Sequence, residues 1–171
     1  ALYRAGGVNN IGSLRSIRVM RGSNCIADLD VYDYILKGKL LDDIRLMEGD
    51  VIIVPPYEKL VDISGKVKRP MYYEMKTKET LATLIKYAGG FSGAAYTKGV
   101  RLVRQSGREY KLFNIDEMDY SVFHLDDGDA VTVGSILDRF ENRVEVRGAV
   151  YRSGMYELSG NMNTVKQLIQ K

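Results

Sequence analysis

The sequence predicts an α+β protein of tandem units, each a small mixed sheet packed on one helix. Three observations predict it: motifs recur at a shared offset, strand-like alternation and one helical stripe follow in a fixed order, and glycine-rich turns separate them. Glycine contributes 17 of the 171 residues, which suits a turn-rich fold.

The recurrence is explicit. Tyr87-Ala88-Gly89-Gly90 echoes Arg4-Ala5-Gly6-Gly7, 83 residues earlier. Gly65-Lys66-Val67 returns as Gly148-Ala149-Val150, and Tyr73 as Tyr156, at the same 83-residue offset. Leu46-Met47-Glu48-Gly49-Asp50-Val51-Ile52-Ile53-Val54 matches Leu125-Asp126-Asp127-Gly128-Asp129-Ala130-Val131-Thr132-Val133 at a slightly shorter offset. The expected organisation is the C-terminal part of a first unit at 1–60, a complete unit at 61–136 and the N-terminal part of a third at 137–171.

The middle unit shows why each element forms. Val61-Asp62-Ile63-Ser64-Gly65 alternates as a half-buried strand does. A turn over Lys66 to Pro70 follows, with Pro70 fixing its own φ and restricting Arg69. Met71-Tyr72-Tyr73-Glu74-Met75 is the second strand of the hairpin. Thr80 is the expected N-cap. Leu81, Leu84, Ile85 and Ala88 fall on one helical face, and Gly89-Gly90 ends the helix. Two strands, Val100 to Arg104 and Glu109 to Phe113, join at Ser106-Gly107. A short helical segment is expected near Asp116 to Tyr120, then a turn at Asp127-Gly128-Asp129 and a last strand through Val133. Hairpin, helix, hairpin, strand is the β-grasp order. The third unit repeats its start: Val165, Leu168 and Ile169 keep helical spacing behind a capping box at Thr164 to Gln167.

Composition excludes several classes. Hydrophobic residues make up 45% and charged residues 27%, an ordinary balance for a packed core. The net charge of +3 is too small and too interspersed to imply nucleic acid or an anionic membrane. No apolar stretch approaches the roughly 20 residues that span a bilayer. Both ends read as interrupted helices, so any targeting segment is expected outside this sequence. The lone Cys25 alternates with polar neighbours and is expected to face a core as a structural thiol.

The sequence offers little for catalysis. His124 is the one histidine and Cys25 the one cysteine, so no zinc spacing exists. Gly6-Gly7 and Gly89-Gly90 follow helices, whereas phosphate-binding glycines precede them. Asp126-Asp127-Gly128-Asp129 lacks the alternation of a calcium loop, and its counterpart Glu48-Gly49-Asp50 has fewer acids, so a turn explains both. Scattered carboxylates leave an enzyme the least supported reading, and no cofactor is expected. Twelve tyrosines include Tyr72, Tyr73, Tyr151 and Tyr156 on or beside the hairpins. With Lys66, Lys68, Arg69 and Arg152 in the turns they form a candidate contact surface, with Lys66, Lys68, Arg69, Tyr73, Arg152 and Tyr156 as its core. Polysaccharide, a lipid-linked partner or the next subunit all fit it.

The motifs resemble the soluble-ligand-binding β-grasp (SLBB) domain and are similar to the tandem copies in outer-membrane polysaccharide export proteins. The resemblance rests on the openings Gly65 to Tyr73 and Gly148 to Tyr156, the stretch Thr80-Leu81 through Ala88-Gly89-Gly90, and the closings Gly49-Asp50 and Gly128-Asp129. Met71 stands where that family has glycine and Ser153 where it has proline, which changes turn type rather than fold. The resemblance implies the periplasmic portion of a capsule or exopolysaccharide export protein, outer-membrane associated, acting as a non-catalytic assembly and translocation-channel module. It implies a homo-oligomer, a polysaccharide and an inner-membrane export or polymerisation partner, with membrane contact only through regions outside this sequence. The alternative it carries is a receptor domain for a glycan or a small molecule such as a corrinoid.

Overall fold

The computed structural model describes residues 2–39, 44–158, 160 and 164–169. The chain divides into two compact units, Ala1–Ile136 and Leu137–Lys171.

In the first unit, a 3-10 turn at Leu2–Ala5 precedes strands β1 (Ile17–Arg21) and β2 (Asn24–Leu29), helix α1 (Val31–Lys37) and strand β3 (Asp50–Ile53). Then come β4 (Lys59–Gly65), β5 (Met71–Met75), α2 (Leu81–Tyr87), β6 (Gly99–Ser106), β7 (Glu109–Asp116) and β8 (Ala130–Val133), with a 3-10 turn at Glu117–Asp119 before β8. The later strands form a five-stranded sheet in the order β5-β4-β8-β6-β7. β4 and β8 run parallel, while every other pairing in that sheet is antiparallel. This is the β-grasp topology expected from the order of elements.

Alternation decides which face is buried. Val61, Ile63, Val131 and Leu102 are fully buried and join Leu81, Leu84, Ile85 and Ala88 of the helix in one core. Asp62, Thr132 and Arg101 alternate with them and point to the opposite face. Thr80 holds the N-cap position, but its hydroxyl makes no cap bond. Leu81 N donates to Phe123 O at 3.0 Å and Ala82 N to Tyr120 O at 2.8 Å instead. The segment after β7 therefore satisfies the free N–H groups of the helix start.

Two features of residues 1–60 differ from or add to the sequence reading. Helix α1 was not anticipated. Asp30 caps it, accepting from Tyr32 N at 3.0 Å, and Gly38 ends it at φ 64°. Cys25 is exposed rather than core-facing. The register of β2 against β1 shifts between Val19 and Met20, so Ile26 bulges and the alternation breaks there.

The sheet β2-β1-β3 has the strand order and directions of β7-β6-β8. Hydrogen bonds recur with it. Gly7 N to Leu2 O, 3.0 Å, corresponds to Gly90 N to Ile85 O, 2.9 Å. Ser13 N to Pro55 O corresponds to Tyr96 N to Gly134 O, and Tyr57 N to Ile11 O corresponds to Ile136 N to Ala94 O.

The second compact unit holds the hairpin β9 (Arg143–Val146) and β10 (Gly154–Glu157) and the helix α3 (Val165–Ile169). Its register pairs Val144 with Tyr156, as Val61 pairs with Tyr73 in the first unit. The capping box is present: Thr164 N donates to Gln167 Oε1 at 3.2 Å, and Gln167 N to Thr164 Oγ1 at 3.4 Å. Leu168 lies in α3, but its side chain is outside what the structure describes.

Candidate functional site: a cleft beside the first β-grasp hairpin

Residues 8–36 pack against the β4–β5 hairpin, and Arg15 is the centre of that packing. It is 3% exposed. Its Nη2 lies 3.0 Å from Asp30 Oδ2 and 2.9 Å from Glu79 Oε1, and Nη1 donates to Glu74 O at 3.1 Å. The guanidinium sits 4.7 Å from the Tyr32 ring centroid and 5.2 Å from that of Tyr87. Tyr87 donates its hydroxyl proton to Glu79 Oε1 at 2.5 Å. Next to this group, Glu74 accepts from Ser13 Oγ and from Leu14 N, and its own N donates to Tyr32 OH. Burial disfavours charge on Arg15, yet the bonds to Glu79 and Asp30 outweigh it and hold its pKa above the ordinary value. Burial likewise raises Glu79 and Asp30, and the bonds from Arg15 more than offset that, so both carboxylates sit below their usual range.

Beside this junction lies a cleft of about 340 Å³. Asn9, Asn10, Tyr57, Arg69, Tyr72 and Tyr73 are among its lining residues. Tyr72 is 63% exposed, while Tyr73 is buried with its hydroxyl donating to Arg69 O at 2.9 Å. The lining is mostly apolar, with aromatic faces and two side-chain amides. Such a surface can stack on and hydrogen-bond to a ligand. It carries no nucleophile–base pair, and among the described residues no cluster of three or more His, Cys, Asp or Glu could hold a metal.

The predicted contact residues divide by role. Lys66, Lys68 and Arg69 are exposed in the β4–β5 connection, with Val67 buried between them. Lys68 N donates to Gly90 O and Arg69 N to Ala88 O, so the connection is stitched to the end of α2. Arg69 Nη2 also reaches Tyr87 O at 3.2 Å. Of the core candidates Lys66, Lys68, Arg69 and Tyr73, only Arg69 and Tyr73 line the cleft. In the second unit, Tyr156 donates to Arg152 O at 2.8 Å, repeating the Tyr73–Arg69 bond. The hydroxyls of Tyr73 and Tyr156 thus brace their own turns. His124 is exposed, and its carbonyl accepts from Arg104.

The motif positions have a physical reason. Gly6, Gly7, Gly49, Gly65, Gly89, Gly90, Gly128 and Gly148 all hold positive φ. Asp50 and Asp129 each close their turn with a backbone N–H three residues back and take an arginine from the neighbouring strand. Asp50 is 2.8 Å from both Nε and Nη2 of Arg21. Asp129, fully buried, is 2.8 and 2.7 Å from Nε and Nη2 of Arg104. The Arg21 hydrogen bond pulls the Asp50 carboxyl down to about 2. Sequence reasoning missed these arginines and Arg15. The signal for the first pair was Arg18-Val19-Met20-Arg21 against Arg101-Leu102-Val103-Arg104.

Residues 60–113 match the SLBB domain family. Two Escherichia coli sequences, each described as polysialic acid transport protein KpsD, are 26% identical to this chain over 159 residues. Those alignments cover 92% of this chain and 27% of each relative, so the chain spans about a quarter of their length. The chain is thus similar to the SLBB domain over 60–113 and to these polysialic acid transport proteins over most of its length. No described helix is long and apolar enough to cross a membrane.

Proposed function

We propose that this chain is a non-catalytic assembly and channel module of a polysaccharide export protein, periplasmic and associated with the outer membrane. The observation that carries the reading is the recurrence of strand order, turn hydrogen bonds and arginine–aspartate pairs along the chain. On this reading residues 1–60 close one β-grasp unit, 61–136 form a complete one and 137–171 open the next. Repeats of this kind expose extended surfaces, and head-to-tail contacts between copies close into rings when the rotation permits. Similarity to polysialic acid transport proteins supports a polysaccharide as cargo. Partners on this reading are further copies of the whole protein and an inner-membrane export or polymerisation component.

The test removes the segment matching this chain from the whole protein. Surface polysaccharide is then measured on cells, and the native mass of the intact protein in detergent by light scattering. Loss of surface polysaccharide on deletion, with a discrete oligomer for the intact protein, is expected. A monomer, or cells that still export after the deletion, overturns the reading. The cleft favours a second reading, a receptor for a glycan or a small molecule such as a corrinoid. Calorimetry with both ligand types, on the chain and on Tyr72→Ala, separates the two.

A further inference from the structure

A second cavity, of about 320 Å³, opens beside β6, β7 and β8. Tyr96, Arg101, Asn114, Asp116, Thr132 and Ser135 supply its polar lining. The strand register fixes the arrangement: Arg101 pairs with Thr132 on one side and Asn114 on the other. All three alternate with core residues and therefore share the face of the sheet away from α2. Tyr96, which also lines the cavity, is 49% exposed.

Three arginines of this scaffold are engaged in ion pairs. Arg15, Arg21 and Arg104 are tied to carboxylates. The side chains of Tyr96, Arg101, Asn114 and Thr132 make no hydrogen bond or ion pair with the described residues. The corresponding positions earlier in the chain show that the fold does not require this set. There, Ser13 replaces Tyr96, Ile53 replaces Thr132 and Pro56 replaces Ser135. Arg18 keeps the place of Arg101, but its cross-strand partner is Asp28 instead of Asn114.

We propose that Tyr96, Arg101, Asn114 and Thr132 form a subsite for one carboxylated sugar residue of an acidic polysaccharide. The proposal rests on the export reading above and names the class of its cargo. A guanidinium offers paired N–H donors that match a carboxylate. The Asn114 amide and the Thr132 hydroxyl take ring hydroxyls, and the Tyr96 face stacks on the apolar face of a pyranose. Asp116, at the rim, accepts hydroxyl protons and repels a carboxylate, so the acid group turns towards Arg101. The site is open and solvated, so binding is weak, with a Kd of about 1 mM. Weak binding suits a polymer that must move on.

The experiment is an NMR titration of the whole chain with short oligomers of galacturonic, glucuronic and sialic acid, each against its carboxyl methyl ester. Shifts are expected at Tyr96, Arg101 and Asn114 with at least one acid form, and about tenfold weaker binding of its ester. Arg101→Ala and Tyr96→Ala each lose about tenfold in affinity, Arg101→Lys loses part of it, and Arg18→Ala binds as wild type. The amide spectrum of each variant reports that it is folded. Absence of binding by every acid form, equal binding of the esters, or wild-type affinity in Arg101→Ala overturns the subsite. The cellular deletion described above separates the two ideas. If deletion abolishes surface polysaccharide while no acid oligomer binds, the subsite fails alone. If deletion leaves surface polysaccharide unchanged, the export reading fails and the assignment of this cargo fails with it.

Discussion

At Arg15 the cost of burying a charge and the bonds that offset it are both large. The guanidinium is held by Asp30, Glu79 and the Glu74 carbonyl between two tyrosine rings. Removing it leaves partly buried carboxylates without their partner, although Lys76 still reaches Asp30 at 2.9 Å. Arg15→Met is therefore expected to cost about 3 kcal/mol, or roughly 10 °C in Tm, read by thermal melts. The same cluster sets a pH dependence. Asp30 and Glu79 are depressed in the folded state, so their stabilisation is fully present above the unfolded pKa values of about 3.9 and 4.3. It is lost as pH falls through the lower folded values. Wild-type Tm is expected to drop on acidification below about pH 4, and Arg15→Met is expected to flatten that drop. An equally steep drop in the variant removes the cluster as its source. None of this was legible in Ser13-Leu14-Arg15-Ser16, because burial of this arginine depends on acids and aromatics far away in sequence.

At the scale of elements, the sequence reading succeeded where local chemistry decides. The hairpins, the apolar face of α2 and the closing turns follow from alternation, helical spacing and glycine placement. It failed where tertiary contacts or a register slip decide. Thr80 marks the helix start, yet the carbonyls of Tyr120 and Phe123 do the capping. Cys25 keeps an alternating pattern, yet the bulge at Ile26 turns it outward. On the β4–β5 hairpin, which tyrosine faces solvent depends on pairing: Tyr72 is exposed and Tyr73 buried. Gly65 shows how element geometry fixes a residue. It ends β4 at φ +84°, and an added Cβ would stand 2.1 Å from the Val133 carbonyl oxygen of β8. Neither backbone can yield without breaking the parallel β4–β8 pairing. Gly65→Ala is expected to cost at least about 2 kcal/mol, measured by urea unfolding. Gly107 takes φ +63° in a turn with open space around it, so Gly107→Ala should cost only about 1 kcal/mol. Equal costs would show that the approach to Val133 is not what matters.

For the whole molecule, the two compact units differ in what protects their strands. In the first, β4 lies between β5 and β8, and its inward side chains Val61 and Ile63 are fully buried. In the second, β9 pairs only with β10 among the described residues, and Met155 is 63% exposed. An isolated two-stranded hairpin is marginal in water, because few residues share the entropy cost of ordering it. Opening β9–β10 exposes little new apolar surface, whereas opening β4 exposes the core around Val61 and Ile63. Native-state hydrogen exchange on the chain should therefore show the β9 and β10 amides exchanging by local opening, at least about a hundredfold faster than those of β4 and β8. Urea should leave the β9–β10 rates nearly unchanged while accelerating β4 and β8, since only the latter exchange through a transition that exposes large surface. Matched rates and matched urea slopes across the four strands would mean that both units open together. The tandem reading predicts that β9–β10 slows towards the β4 rate in the longer protein, where a closing strand on the β8 pattern can pair with β9.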